Sequence, residues 1–324
     1  MGKNKSPPSL GQPEEEMART RLPHVQVFVL AHNRPQLLRE TLFSILSQEC
    51  SEFELVVSDN STNDDVQSLI ASEFEGKLAY RRRIPSLSPI RHFQKILEEA
   101  NGDYVVLFHD DDRMLPGFVP VMRDFLEQFR NYSAAASNAY LHIEDRSTKR
   151  MFYPGAMTVH EIKSGTEMAH HYLDMGIFRM PFPGYMYRTA MIRGIFMDKS
   201  EGGKHSDVSF LIKVATVAPV AWLGQPLFEY RIHRGNDSWS EDVSARLSLL
   251  RYIYRTTLIS KDSSIVGNYR LAYWYLWWRG PLGKRWPWRR RVVLYFLFRY
   301  GVTLPLRQPR LVFNLLRHRF YYLF

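Results

Sequence analysis

The stretch HVQVFVLA at 24–31 is almost continuously apolar and β-branched, the pattern of a strand buried on both faces. It runs into His32-Asn33-Arg34-Pro35, where Asn33 suits a helix N-cap and Pro35 the first turn. QLLRETLFSILSQ then sets Leu38, Leu42, Ile45 and Leu46 at helical spacing. A second strand, FELVVSD at 53–59, ends in the turn formers Asp59-Asn60-Ser61, and a polar helix follows from about Asp64 to Phe74. LAYRRR at 78–83 reads as a third strand. Ser88-Pro89 opens the helix IRHFQKILEEA, which Asn101-Gly102 closes. DYVVLFHDDD at 103–112 is a fourth strand running into three aspartates, and Pro116 starts another helix to about Arg130.

Strands that alternate with helices imply an α/β, Rossmann-like fold, a mostly parallel central sheet flanked by helices. Ligands bind such sheets beyond the carboxyl ends of the strands. Three strands here end in polar groups: His32/Asn33, Asp59/Asn60 and Asp110–Asp112. The turn after the first strand, AHNRPQ, contains no glycine, which excludes the glycine-rich dinucleotide fingerprint. A P-loop is absent as well. Adjacent carboxylates at a strand end repel one another unless a cation lies between them. Hard cations such as Mg²⁺ bind carboxylate and phosphate oxygens together.

Composition sharpens this picture. The 324 residues are 45% hydrophobic and 23% charged, as in an ordinary globular protein, with a formal net charge of +10. The charge is unevenly placed. Residues 263–324 carry twelve Lys/Arg and no Asp or Glu, so the first 262 hold 31 basic against 33 acidic groups. A near-neutral body argues against nucleic acid as its partner. The single Cys50 excludes a disulfide framework and a cysteine metal cluster. The first 22 residues are polar and Pro-rich, with no apolar stretch, and read as a disordered tail rather than a secretory signal.

Five blocks carry a resemblance: VQVFVLAHNRPQLLRETLFSILSQ, ELVVSDNSTND, ANGDYVVLFHDDDRMLPGFV, GGKHSDVSFLIKVA and FEYRIHRGNDS. In this order, over residues 23–240, they resemble the catalytic domain of inverting family 2 glycosyltransferases with the GT-A fold. D-D-D alone is a weak signal; the ordered set is a strong one. His109 stands where the family usually has the first aspartate of its D-x-D motif, and it reads as a structural replacement rather than a ligand.

The resemblance implies a nucleotide-diphosphate sugar as donor and a divalent metal, Mn²⁺ or Mg²⁺, as cofactor. It implies a donor site built from Ala31, His32, Asn33, Arg34, Asp59, Asn60, Asp110 and Arg231. In that site Asp59 accepts from the base and Asp110 faces the ribose. It implies metal ligation by Asp111, Asp112 and His233, with Asp207 as the general base. An inverting transfer is one displacement, so a single base takes the acceptor's proton. Tyr185 and Tyr187 fall on the acceptor side, whereas Trp222 and Trp239 read as packing residues. Plainer readings exist for the carboxylates: Asp59 as a turn former, Asp110–Asp112 as a solvated loop, Asp207 as a helix cap.

Residues 241–324 read as a helical extension. Its last part interleaves aromatic clusters with arginines and holds five of the seven Trp. Interfacial aromatics and cations suit an anionic membrane surface. Packing on the catalytic domain and single-stranded nucleic acid are the other readings. With lipid-linked or other glycan acceptors, the expected place of work is the cytoplasmic face of a membrane, bound peripherally, in cell-surface polysaccharide biosynthesis.

Overall fold

A computed structural model describes residues 23–143, 150–153, 157–174, 180–233 and 243–270. The expected amino-terminal tail, Trp239, and nearly all of the basic aromatic stretch lie outside the described residues.

The first half alternates as the pattern predicts. Strand β1 (Val25–Ala31) leads to helix α1 (Pro35–Leu46), and β2 (Phe53–Asp59) to α2 (Asp65–Leu69), which continues into a π turn, Ile70–Phe74. Then come β3 (Ala79–Arg82), α3 (Pro89–Glu99) and β4 (Tyr104–His109). The second half is more irregular: β5 (Arg113–Met114), α4 (Phe118–Gln128), β6 (Ala134–Ile143), β7 (Arg150–Met151), β8 (Val159–Ile162) and α5 (Gly165–Leu173). It ends with β9 (Tyr185–Arg188), α6 (Thr189–Ile192), α7 (Ser206–Val217), β10 (Val220–Ile232) and α8 (Val243–Thr256).

The strands form one mixed sheet in the order β3-β2-β1-β4-β9-β6-β10-β5, with β7 on β6 and β8 on β10. Strands β3, β2, β1 and β4 are mutually parallel. Strand β9 runs antiparallel between β4 and β6, while β6 and β10 are parallel. The sheet is therefore less uniformly parallel than the alternation implies. A long, irregular path through β6–β8 brings the chain back so that β9 enters the sheet reversed.

Side chains alternate across the sheet with period two. Val25, Val27 and Val29 face one core with Leu38, Leu42 and Ile45 of α1 and Phe118 and Met122 of α4. Phe28, Val105 and Leu107 face the other core with Phe93 and Ile96 of α3 and Phe210 of α7. Each such buried side chain contributes about 1.5–3 kcal/mol. Leu249, Leu250 and Ile253 of α8 are buried in that second core, so the described part of the extension packs on the catalytic body.

Register decides what meets at the sheet edge. Ala31 pairs with Asp59, Asp59 with Arg82, and Leu30 with His109. Because β9 is reversed, its first residue, Tyr185, opens on the edge where β4 ends.

Candidate active site

Asn33 does not cap α1. It adopts φ 53°, the left-handed region that asparagine tolerates, and Arg34 occupies the cap position instead. The side chain of Asn33 is used elsewhere. Its Oδ1 accepts from the Thr62 amide at 2.9 Å, and the backbone amide of Asn33 donates to Ser61 Oγ at 2.8 Å. The turn after β1 is thus tied to the turn after β2. Next to it, His32 donates its amide to Asp110 Oδ2 at 2.8 Å, and its Nδ1 lies 2.8 Å from the carbonyl of Asn60. The amide of Asn60 donates to the carbonyl of Ala31 at 2.9 Å. The Asn60 side chain holds the loop before α3 by two bonds to the Leu87 backbone, at 2.7 and 2.9 Å.

Asp59 is fully buried. Its Oδ1 accepts from the Ser61 amide at 2.9 Å, and its Oδ2 accepts from Tyr80 Oη and Arg82 Nη1, both at 2.6 Å. Burial pushes the carboxyl up, but the bonds from Ser61, Tyr80 and Arg82 win and hold it below the usual carboxylate range. Burial and the bond to Asp59 push the Tyr80 hydroxyl up to about 12.

The three aspartates after β4 are buried together. Asp110 has Arg34 Nη2 2.6 Å from its Oδ1. Asp111 Oδ2 accepts from Arg34 Nη1 at 2.6 Å and lies 3.1 Å from His233 Nε2. Asp112 accepts the Arg231 amide at 2.9 Å on Oδ1. Its Oδ2 is buried, has no hydrogen bond among the described residues and lies 3.9 Å from His109 Nδ1. Thr41 Oγ1 of α1 donates to the carbonyl of Asp112 at 2.7 Å, which fixes the turn. Burial, with Asp111 adding, pushes Asp110 up to about 7. Burial and the charge of Asp111 push Asp112 well above the carboxylate range. Asp111 is held low despite burial, by His109, Arg34 and His233.

Three carboxylates in a low-dielectric pocket crowd negative charge that Arg34 pairs directly only at Asp110 and Asp111, while Arg231 lowers Asp112 less than burial and Asp111 raise it. Ligand atoms of His109, Asp111 and Asp112 lie within 4.8 Å of one another. That spacing and the unbonded Asp112 Oδ2 fit a divalent cation. Of the residues named for metal from the sequence, Asp111 and Asp112 belong to this set, and His233 lies against Asp111. His109, read from the sequence as a structural replacement, stands inside it.

The structure places Arg231 as a strut. Its buried guanidinium donates to Glu40 Oε2 of α1 at 2.6 Å, to the carbonyl of Leu37 at 3.3 Å and to the carbonyl of Asp111. It holds the aspartate turn against α1 rather than leaving a bare cation at the edge.

A cavity of about 320 Å³ opens beside this cluster, bounded by His109, Phe182, Tyr185, Asp207, Trp222 and Tyr230. Asp207 sits in the first turn of α7, where the helix dipole favours a carboxylate. The preceding residue, Ser206, is buried and donates Oγ to the carbonyl of Gly203 at 2.6 Å, which fixes the approach to the helix. Trp222 Nε1 donates to Tyr185 Oη at 2.9 Å, and the Tyr185 and Tyr187 rings stack at 5.8 Å. Tyr187 is fully buried behind the wall, so of the two tyrosines only Tyr185 lines the cavity. Burial pushes both hydroxyls up; the Asp207 charge adds a smaller push at each, and at Tyr187 the neighbouring Tyr185 adds more. Sequence reasoning missed Phe182, Tyr230 and the cavity-lining role of Trp222. Apolar aromatics far apart in the chain carry no signal of a shared wall.

Residues 26–196 match the family model for glycosyl transferase family 2. Among curated proteins, the chain is similar to the abequosyltransferase RfbV of Salmonella typhimurium, 31% identical over 101 residues and 30% of each chain. It is also 28% identical over 99 residues to the GalNAc(5)-diNAcBac-PP-undecaprenol beta-1,3-glucosyltransferase of Campylobacter jejuni, covering 30% of this chain and 32% of that one. The chain spans about a third of the length of the curated relatives it matches. Among solved structures it resembles S. aureus TarS 1-349 in complex with UDP-GlcNAc, with a TM-score of 0.58 and 19% identity, over 74% of this chain and 68% of that one. At that identity the likeness carries the fold.

Proposed function

Since the chain belongs to glycosyl transferase family 2 and has the GT-A fold, we propose that it is an inverting glycosyltransferase moving a sugar from a nucleotide diphosphate to a hydroxyl of a glycan or lipid-linked acceptor. One observation carries this reading. One cavity is lined by both Asp207 and His109, the residue next to the buried aspartate cluster, which supports Asp207 as the base beside that cluster.

The donor lies along the strand ends, its base against the turn at Ala31–Asn33 and its diphosphate toward Asp110–Asp112; Asp59, named from the sequence as the base's acceptor, is fully buried with both oxygens bonded to Ser61, Tyr80 and Arg82, and so supports that turn from behind. The acceptor enters the aromatic cavity. Asp207 takes the proton of the acceptor hydroxyl as that oxygen bonds to the anomeric carbon. The bond from that carbon to the diphosphate oxygen breaks, and its electron pair leaves with the nucleotide. One displacement inverts the centre. His109, Asp111 and Asp112 would hold a divalent cation, Mn²⁺ or Mg²⁺, whose chemistry is to neutralise charge on the departing diphosphate. Phe182, Tyr185 and Trp222 offer apolar faces for a sugar ring and keep water from the reacting carbon.

The acceptor class rests on chemistry beyond the site. The name of the Campylobacter relative includes a lipid diphosphate, and the arginines and aromatics of 263–324 suit an anionic lipid surface. We place the enzyme peripherally on the cytoplasmic face of the membrane, in cell-surface polysaccharide synthesis. Among the described residues no helix is long and apolar enough to cross a membrane.

The test is transfer from a panel of nucleotide sugars with Mn²⁺ or Mg²⁺, read by product mass. Asp207→Asn is expected to lower transfer by about 10²–10⁴-fold, the usual worth of a positioned base, while donor affinity changes less than about twofold. Undiminished transfer by that variant would sink the base assignment. No donor binding by the wild type would sink the whole reading.

A further inference from the structure

A second group of ligating side chains lies away from the aspartates. His160 stands on β8, and Glu167 and His171 stand one turn apart on α5. Their ligand atoms all fall within 4.8 Å of one another. The two imidazoles aim the same atom at each other, Nε2 to Nε2, at 3.3 Å. Two protonated Nε2 atoms would repel at that distance, so something must sit between them: one shared proton or one cation.

The geometry points to a cation, and we propose that His160, Glu167 and His171 form a zinc site. Zinc binds imidazole nitrogen at about 2.0–2.1 Å, and two ligands on a tetrahedron at that radius are about 3.3–3.4 Å apart. The observed separation is that edge. Glu167 is held for the task. Ser164 Oγ accepts its amide at 3.2 Å, and its Oε2 accepts the Lys163 amide at 2.8 Å. That capping exchange leaves Oε1 facing His171 Nε2 at 4.0 Å, within a shift of less than about 1 Å of a ligand position. His160 is exposed, so water can take the fourth place.

The donor set selects the ion. Two imidazoles and one carboxylate suit zinc, whereas the aspartate cluster with its oxygen-rich ligands suits Mg²⁺ or Mn²⁺. The zinc would pin an edge strand to a helix around Trp222. His160 faces Trp222 across the β8–β10 pairing, and the His171 ring meets the indole edge-on at 5.0 Å. Trp222 in turn holds Tyr185 on the cavity wall. The site would therefore brace the wall from behind, at a place separate from the reacting groups.

Full-length protein dialysed against limiting zinc, then against metal-free buffer, is assayed for zinc by mass spectrometry. Asp111→Asn, which weakens the aspartate cluster, is expected to retain one zinc per chain. His160→Ala in that background is expected to retain less than about a tenth of that, and its midpoint of thermal unfolding should no longer rise when zinc is added. His160 is exposed, so its loss does not threaten the core; Glu167→Gln supplies a second, near-isosteric variant expected to weaken binding at least about tenfold. No retained zinc in the Asp111→Asn protein, or equal zinc with and without His160, would overturn the proposal and leave the pair bridged by a proton. None of these readouts depends on glycosyl transfer.

Discussion

Arg34 sets one guanidinium nitrogen 2.6 Å from Asp111 Oδ2, and that same carboxylate oxygen faces His233 Nε2 at 3.1 Å. The other end of the guanidinium pairs with Asp110, so one side chain occupies charge that a metal ion would otherwise neutralise. Arginine and cation therefore compete for Asp111. Replacing Arg34 by Ala should tighten Mn²⁺ binding about tenfold when no donor is present, equivalent to ~1.4 kcal/mol. Titration calorimetry of the two proteins reads this directly; equal or weaker binding by the variant would contradict it.

Asp59 is fully buried and committed to Arg82 and Tyr80. Asp59→Ala leaves the Arg82 cation, itself largely buried, without its main counter-charge. The expected loss is about 3–5 kcal/mol in urea unfolding, as for other broken buried pairs. Tyr80→Phe removes one hydrogen bond but keeps the ion pair, and should cost about 1 kcal/mol. A similar loss for both variants would show that the ion pair contributes nothing beyond the hydroxyl.

His92 is a buried histidine on α3, with Nε2 2.8 Å from Ser58 Oγ, which itself accepts from Arg83 Nε at 2.9 Å. Burial, and then the charge of Arg83, lower the His92 pKa from 6.5 to about 4. Because the folded value is the lower one, the unfolded chain takes up the proton first. The stability present above pH 6.5 is lost as pH falls toward 4, about 2 kcal/mol by pH 5 and about 3 kcal/mol at the end of the window. His92→Asn should lack that component in unfolding curves at pH 7 and pH 5. An identical pH dependence in both proteins would refute it.

Residues 271–324 carry most of the arginine-aromatic pattern. Each basic group near an anionic surface contributes roughly 1 kcal/mol, enough in number for peripheral binding. Removing 271–324 should shift the protein from the pellet to the supernatant when it is sedimented with vesicles containing anionic lipid. Full-length and truncated chains with the same folded circular dichroism and equal sedimentation would exclude this stretch as the anchor.

Strands β1, β2 and β4 were legible because each is a short apolar run closed by a turn cluster, and α1 because Leu38, Leu42 and Ile45 repeat at helical spacing. Strand β6 was not. AAASNAYLHI has no β-branched residue before its last position, yet it lies between β9 and β10, where small side chains suit a strand packed on both faces. The N-cap reading of Asn33 failed because the side chain had a better partner in the Thr62 amide, 29 residues away.

What the sequence determined by itself was the kind of chemistry: polar groups at the ends of three strands, an aspartate run with no glycine cradle, and an acid heading a later helix. Local pattern suffices for this, since strand ends and helix starts are local events. The tertiary structure alone decided the company each group keeps. It turned Arg231 into a strut, put Arg34 between two carboxylates, set His109 ligand atoms within 4.8 Å of those of Asp111 and Asp112 and built the cavity wall from Phe182, Tyr185 and Trp222. Apart from His109, which neighbours the aspartates in the chain, and Phe182 beside Tyr185, those contacts join residues tens to nearly two hundred positions apart. They depend on the reversed entry of β9 and on the register of β10, which no short stretch of chain encodes.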